Sequence, residues 1–179
     1  CQRDRGRCSC WNRDILVLFH LRVLMDVCLL SSDAEIASFI RCCGDRVVYD
    51  GGDWLVSFGH RRVISAKALA PYGGHAINLH ISALPWNRGA HPNYWAWRDG
   101  TPHGVTLHRM IARLDEGDII AQRRLVFGPG FTLETSWLRL MAEARAMFME
   151  FWPELRAPRG SFHRVADLPG NVEWGDSCG

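Results

Sequence analysis

The segment Asn78-Leu79-His80 places an amide and an imidazole two positions apart at the end of an apolar run. Alternate residues of a β-strand point to the same face, so a strand here directs both polar side chains to one side of its sheet. Residues 81–95 are rich in aromatic, Pro and Gly residues and are expected to form a loop. The pair is therefore predicted to lie at the lip of a strand, where polar side chains can meet a ligand.

A carboxylate further along the chain completes a set of groups suited to acyl transfer to an amine. Asp115 lies in a turn-like segment, RLDEGD. An amide N–H and an imidazolium stabilise the negative charge that develops on a carbonyl oxygen under attack, and each donor is typically worth about 10²–10³ in rate. A nearby carboxylate keeps the imidazole protonated and holds a water for proton transfer. We therefore expect activity to fall as His80 loses its proton.

Composition excludes several classes of protein. A chain of 179 residues with 47% hydrophobic residues is expected to form one domain with its own core. The formal net charge of +2, with no long basic block, indicates no nucleic-acid partner. The seven cysteines are odd in number and contain no CxxC pair, so neither a disulfide framework nor a metal site is indicated. Reduced cysteines favour a cytoplasmic location.

The apolar run at residues 15–30 does not predict a membrane span. His20, Arg22 and Asp26 interrupt it, and it is shorter than the ~20 clean residues that a span needs. Met25 within it begins an apolar strand followed by a capped helix, which is typical of a chain start. We therefore expect residues 1–24 to be an N-terminal extension outside the folded unit.

Short apolar runs alternate with helical periodicity along the rest of the chain. Helices are predicted at 33–43, at 65–73 with a break at Pro71, and at 132–152, where an apolar stripe runs from Leu133 through Trp137 to Phe151 after an N-cap at Thr132. Strands are predicted at 26–30, 46–50, 53–59, 75–80, 103–110 and 118–127. This alternation indicates an α/β fold with a mainly parallel sheet, which binds ligands at strand lips.

Five short motifs stand in a fixed order along the chain: N-L-H at 78–80, L-P at 84–85, R-G at 88–89, G-V-T-L-H at 104–108 and L-D-E-G-D-I-I at 114–120. Their order and distances resemble the formyltransferases that use 10-formyltetrahydrofolate. That family includes glycinamide ribonucleotide, methionyl-tRNA and sugar-nucleotide N-formyltransferases. The resemblance covers roughly residues 53–122. It implies a Rossmann-like fold and 10-formyltetrahydrofolate as the formyl donor.

The resemblance also assigns roles to particular positions. Asn78, His80 and Asp115 match the family's catalytic residues. The segment VSFGHRRVI, at 56–64, matches the stretch whose backbone binds the pteridine, and the chain at 111–115 matches the stretch that closes over it. The residues that the resemblance places beside the folate are Gly59, Arg62, Val63, Ile64, Ile111 and Leu114.

Departures from the family pattern bear on the acceptor. Ile81 stands where the family usually has Pro, the first strand is followed by LLSSD without Gly, and too few residues precede the strand at 53 for the usual βα units. The fold is therefore expected to be abbreviated, without purine-pathway phosphate binding. Little sequence follows residue 152, so the tRNA enzyme, which carries a C-terminal β-barrel, is not expected.

The segment PWNRG at 85–89 resembles the form found in sugar-nucleotide formyltransferases. It favours an amino-deoxysugar nucleotide as acceptor, with Trp86, Asn87 and Arg88 as substrate-binding candidates; an amino-acid-derived or peptide amine is the alternative acceptor. Hydrolysis of the donor to formate, or folate binding without transfer, are the alternative functions.

The expected organisation is the extension at 1–24, a formyltransferase catalytic domain at 25–155 and an irregular C-terminal tail at 156–179, and a homodimer is a candidate assembly. Asp118 competes with Asp115 for the acidic role, but it lies on the side of the turn that enters the next strand and is expected to be a capping or turn residue. The remaining histidines are expected at the surface or in packing contacts, with His108 able to flank the site.

Overall fold

The computed structural model describes residues 24–157, so almost all of the predicted extension at 1–24 and most of the predicted tail at 156–179 lie outside the described residues. Six strands and four α-helices alternate along this part of the chain. The strands are β1 (Asp26–Leu30), β2 (Arg46–Val48), β3 (Trp54–Phe58), β4 (Ala76–His80), β5 (His103–Arg109) and β6 (Ile119–Leu125). The helices are α1 (Ala34–Cys42), α2 (Ala66–Leu69), which runs into a 3₁₀ turn at Ala70–Tyr72, α3 (Pro92–Asp99) and α4 (Leu133–Leu155).

The strands form one sheet in the order β2-β1-β3-β4-β5-β6. The pairings from β2 to β4 are parallel, and those of β4 with β5 and of β5 with β6 are antiparallel. The predicted α/β fold with a mainly parallel sheet is confirmed. Because β5 runs back along β4, Asn78 lies opposite His108 and His80 lies opposite Thr106. The change of strand direction thus falls at the predicted site.

Helix α4 covers the sheet and supplies much of the core. Its buried side chains include Leu140, Met147, Phe148 and Trp152, and burial of each large apolar side chain contributes about 1.5–3 kcal/mol. The indole N–H of Trp152 donates to the buried carboxylate of Asp45 at 3.1 Å. At its start, α4 has a capping box between Thr132 and Thr135, as the predicted N-cap requires.

The first turns of α4 differ from the prediction. Leu133 and Trp137 were expected in the core stripe, but both side chains are nearly half exposed, because this end of the helix lines an open cleft rather than the sheet. The helix also continues through Pro153 to Leu155, beyond the predicted end at 152. A proline in the last turn removes one backbone hydrogen bond at a point where the helix is already ending.

Helix α3 was predicted as loop. It has Pro92 as its first residue, ends at Asp99 and is followed by Gly100, which adopts a left-handed conformation with φ 65°. Pro at the start and Gly after the end are recognised helix signals. The helix spans only about two turns and its pattern is dominated by aromatic residues, so its periodicity is weak. Asn93 on this helix donates to Ser136 at 3.1 Å and thereby ties α3 to α4.

No helix within residues 24–157 has the length and apolar character needed to cross a bilayer. Over the same residues, no cluster of three or more His, Cys, Asp and Glu side chains is arranged to hold a metal ion.

Candidate active site

A cleft of about 850 Å³ opens where β3 and β4 end and β5 returns beside them. All nine of the predicted catalytic and folate-binding positions line it. These are Gly59, Arg62, Val63, Ile64, Asn78, His80, Ile111, Leu114 and Asp115. Residues separated by more than fifty positions in sequence therefore meet around one space.

Asn78, His80 and Asp115 converge on one side of this cleft. Asp115 Oδ1 lies 3.4 Å from the Asn78 amide nitrogen, and Oδ2 lies 3.6 Å from His80 Nδ1. Oδ2 also accepts a 2.8 Å hydrogen bond from the backbone N–H of Gly89. His108 Nε2 lies 3.5 Å from Oδ1. The carboxylate is therefore surrounded by nitrogen atoms from three separate segments of the chain.

These contacts keep the Asp115 carboxylate charged. Burial by itself raises the pKa of Asp115, but its contacts with the His108 ring, the His80 ring and the Gly89 N–H outweigh burial and lower that pKa below its ordinary value. A charged, buried carboxylate can in turn stabilise a positive charge that forms beside it.

His80 behaves differently from the sequence-based expectation. Burial lowers the pKa of His80, and the Asp115 carboxylate and the Asn87 carbonyl, which raise it, compensate only in part. A pKa below the ordinary value of about 6.5 favours a neutral ring at pH 7 in the unliganded site, which differs from the expectation that Asp115 keeps the ring protonated. Its Nε2 lies 3.0 Å from the carbonyl oxygen of Asn87. Because a carbonyl oxygen only accepts, the Nε2 atom carries the proton.

Backbone geometry holds Asp115 in place. Asp115 has φ 51°, in the left-handed region, which Asp tolerates better than most residues. Two residues later, a Cβ on Gly117 would lie 1.9 Å from the carbonyl oxygen of Arg109. The loop can therefore fold against the end of β5 only with glycine at this position.

A buried network fixes the loop that follows His80. The Thr106 hydroxyl donates to the Ser82 carbonyl at 2.7 Å, and the Leu84 N–H donates to that hydroxyl at 3.3 Å. The Gln122 amide donates to the Leu84 carbonyl at 2.8 Å. Satisfied buried hydrogen bonds of this kind hold a loop in one conformation, and this loop carries the Asn87 carbonyl and the Gly89 N–H into the site.

The three predicted substrate-binding residues are not among those that line the cleft. The Asn87 side chain donates to Thr101 at 2.6 Å, and Arg88 pairs with Glu116 at 3.0 Å. Trp86 is partly exposed, with its carbonyl accepting a hydrogen bond from Ser82. The side chains of Asn87 and Arg88 are thus engaged outside the cleft, while the backbone of this loop contacts His80 and Asp115.

His108 is the residue of the site that sequence reasoning undervalued. It is 2% exposed, and its Nε2 lies 3.1 Å from the Asn78 amide nitrogen. Its place opposite Asn78 follows from the register of β4 and β5. Sequence alone offers only its place in G-V-T-L-H as a signal. Of the other histidines, His75 stacks on Trp54 and His103 packs against Trp97 and Phe127, as expected for packing residues.

The opposite walls of the cleft expose large apolar side chains. Val63 is 70% exposed, Ile111 42% and Leu114 51%. Clefts that bind flat organic ligands present apolar walls beside a few polar groups. Arg61, Arg62 and Arg113 also line this part of the cleft and would attract an anionic ligand.

Comparison with known proteins agrees with this geometry. The formyl transferase family model matches residues 45–151. The crystal structure of the formyltransferase PseJ from Anoxybacillus kamchatkensis, in complex with UDP-4,6-dideoxy-4-formamido-L-AltNAc and tetrahydrofolate, is 33% identical with a TM-score of 0.68, over 79% of this chain and 86% of PseJ.

Two further solved structures share the fold. Phosphoribosylglycinamide formyltransferase from Bacillus halodurans is 26% identical with a TM-score of 0.57, over 72% of this chain and 64% of that enzyme. A sugar N-formyltransferase from a Shewanella species is 16% identical with a TM-score of 0.63, over 73% of this chain and 69% of that enzyme. From the family match and the similarity to PseJ, we conclude that this chain belongs to the formyl transferase family, whose formyl donor is 10-formyltetrahydrofolate.

Proposed function

We propose that the protein transfers the formyl group of 10-formyltetrahydrofolate to the primary amine of an amino-deoxysugar nucleotide. The observation that carries the choice of acceptor is the 33% identity to PseJ over most of both chains, because PseJ was solved with a 4-formamido sugar nucleotide. The sequence form PWNRG at 85–89 supports the same acceptor class.

The donor is assigned to the side of the cleft with exposed apolar walls. The pteridine would lie between the segment at 59–64 and the chain at 111–115, and would cover Val63, Ile111 and Leu114. Main-chain groups in these segments supply the donors and acceptors that a flat heterocycle needs. The guanidinium groups of Arg62 and Arg113 suit the donor's carboxylates.

The transfer requires three groups in the proposed roles. The amine attacks the formyl carbon directly, and negative charge develops on the formyl oxygen. The amide N–H of Asn78 donates to that oxygen, and so does the Nε2–H of His80, which exchanges the Asn87 carbonyl of the unliganded site for the formyl oxygen. His80 is neutral at rest, and the proton that the amine releases passes through a water at Asp115 to His80 Nδ1, where the positive ring pairs with the charged Asp115. As the C–N bond to the folate breaks, this proton leaves His80 through the same water and reaches the folate nitrogen.

Incubation with 10-formyltetrahydrofolate and a panel of acceptors tests the proposal. The panel pairs amino-deoxysugar nucleotides with amino-acid and peptide amines, and mass spectrometry detects the gain of one formyl group. We expect formylation of an amino-sugar nucleotide by the wild-type protein and none by Asp115→Asn.

The same assay separates the alternatives. Formate release that does not depend on any amine would establish hydrolysis of the donor instead. Tight binding of the folate with neither transfer nor formate release would establish a binding protein. Formylation of peptide amines alone would contradict the sugar acceptor while leaving the transfer reaction intact.

A further inference from the structure

His103 and His108 both lie on β5, and His108 faces the cleft. The Nδ1 atom of His108 lies 2.8 Å from the carbonyl oxygen of Arg109, and its Nε2 lies 3.1 Å from the Asn78 amide nitrogen. A carbonyl oxygen only accepts, so in the neutral ring Nδ1 carries the proton and Nε2 presents its lone pair. Asn78 therefore donates one of its two amide protons to His108.

The neighbours of Asn78 also fix which way its amide faces. Asp115 Oδ1 lies 3.4 Å from the amide nitrogen. The reversed amide would place its oxygen against this carboxylate and against the lone pair of His108, and both contacts would be repulsive. The amide nitrogen thus makes one firm hydrogen bond, to His108, and one long hydrogen bond, to Asp115. The long bond is the one that a formyl oxygen in the cleft can replace.

We propose that His108 is a positioning residue that occupies one N–H of Asn78 and thereby aims the other at the formyl oxygen. This inference rests on the proposed transfer reaction. His108 acts through Asn78 rather than on the reacting atoms. The antiparallel register supports this role, because residues directly opposite one another on paired strands are held at a short, fixed separation.

A second arrangement competes with this one. His108 Nε2 also lies 3.5 Å from Asp115 Oδ1, so a charged His108 could donate to that carboxylate. Its Nε2 would then carry a proton and could accept nothing from Asn78. The two arrangements differ in the position of a single proton. The proposal rests on the shorter of the two contacts of Nε2, the 3.1 Å to Asn78.

A double-mutant cycle tests whether His108 acts through Asn78. We expect His108→Leu to lower kcat about 10- to 100-fold, with the KM for the donor changed less than about twofold, because a misplaced donor weakens the transition state more than binding. His108→Gln keeps an acceptor and should recover most of kcat. In a protein that already carries Asn78→Ala, His108→Leu should lower kcat almost no further. His103→Leu, a change at a half-buried histidine of the same strand, is the control. If the fold-losses of kcat in the two single variants multiply in the double variant, the two residues act independently and the proposal is overturned.

Nitrogen NMR of the His108 ring locates its proton without any amine substrate. In the ligand-free protein we expect the His108 proton on Nδ1, and a shift of the Nε2 signal in Asn78→Ala but not in His103→Leu. A proton on Nε2, or an Nε2 signal insensitive to Asn78→Ala, would refute the proposed role. If no amine is formylated, the substrate proposal fails while the NMR reading still decides about His108. If the wild type is active and the cycle is additive, only the role of His108 fails.

Discussion

The two sides of the cleft differ in polarity and in exposure to solvent. Around Asp115, polar groups are buried and partnered: the carboxylate meets His80, Asn78 and the Gly89 N–H within 3.6 Å. Across the cleft, the walls at 59–64 and 111–114 leave large apolar side chains open to solvent. The first side holds its polar groups in a fixed, partnered arrangement, whereas the second leaves an apolar surface that a ligand could cover.

This contrast predicts that substitutions on the two sides affect different parameters. Changes near Asp115 should lower kcat with the folate affinity preserved, and changes on the apolar walls should lower the folate affinity with kcat preserved. The predictions that follow test this division, and they run from the largest expected effect to the smallest.

Asp115→Asn should lower kcat by about 10²–10³-fold, because it removes the negative charge that stabilises a protonated His80. The affinity for tetrahydrofolate, measured by fluorescence titration, should stay close to that of the wild type. Asp118→Asn is the matched control, since Asp118 is exposed and contributes its carbonyl to the Arg109 N–H. A nearly unchanged kcat in Asp115→Asn would remove Asp115 from the proposed mechanism.

The pH profile should show an acidic limb that belongs to His80. Burial lowers the pKa of His80, so the ring is neutral at pH 7 and gains a proton only as the pH falls below its ordinary value of about 6.5. If the neutral ring starts the reaction, kcat/KM should fall about tenfold per pH unit on that limb. The limb should be absent in His80→Gln. A rate that instead rises on acidification would restore the view that His80 is charged from the start.

Leu114→Ser should weaken folate binding about tenfold, because it removes an apolar contact worth on the order of 1–2 kcal/mol from the wall of the cleft. Calorimetry with tetrahydrofolate measures the change in Kd. Val126→Ser provides the control, since Val126 is 95% exposed and does not line the cleft. A loss of kcat without a loss of affinity would place Leu114 on the catalytic side and break the comparison.

Glu116→Gln should have the smallest effect. Glu116 pairs with Arg88 at 3.0 Å and with Arg113 at 3.1 Å, and these pairs lie at the surface. Exposed ion pairs contribute about 0–1 kcal/mol, so the thermal midpoint should move by only a few degrees and kcat by less than about threefold. A large fall in kcat would contradict this and would show that the Arg88–Glu116 ion pair, which joins two loops, is needed to keep the catalytic groups in place.

The elements were predictable because they depend on local pattern. The strand at 26–30 matches its predicted bounds, and the other strands begin or end within a few residues of theirs. Helix α3 was missed because it is short and rich in aromatic residues. Leu133 and Trp137 were assigned to the core because periodicity describes the faces of a helix but does not show where the sheet beneath it ends.

The sequence predicted which residues form the site, but not which of their atoms contact one another. The motif order brought Asn78, His80 and Asp115 together as candidates, and the folded chain places them within hydrogen-bonding distance or close to it. The part played by His108 depends on the register between β4 and β5. The protonation of His80 depends on how deeply the fold buries it, which no spacing in the sequence reveals.

The sequence by itself determined which residues form strands and helices, and that the amide of Asn78 and the ring of His80 share a face. Both follow from interactions between residues a few positions apart, which repeat with the period of the element. Only the tertiary structure decided that His108 lies within hydrogen-bonding distance of Asn78, that the Asn87 backbone rather than its side chain contacts His80, and that apolar walls stand open across from them. These depend on distances and burial set by the packing of segments far apart in the chain, and solvent exclusion and strand register exist only once that packing is complete.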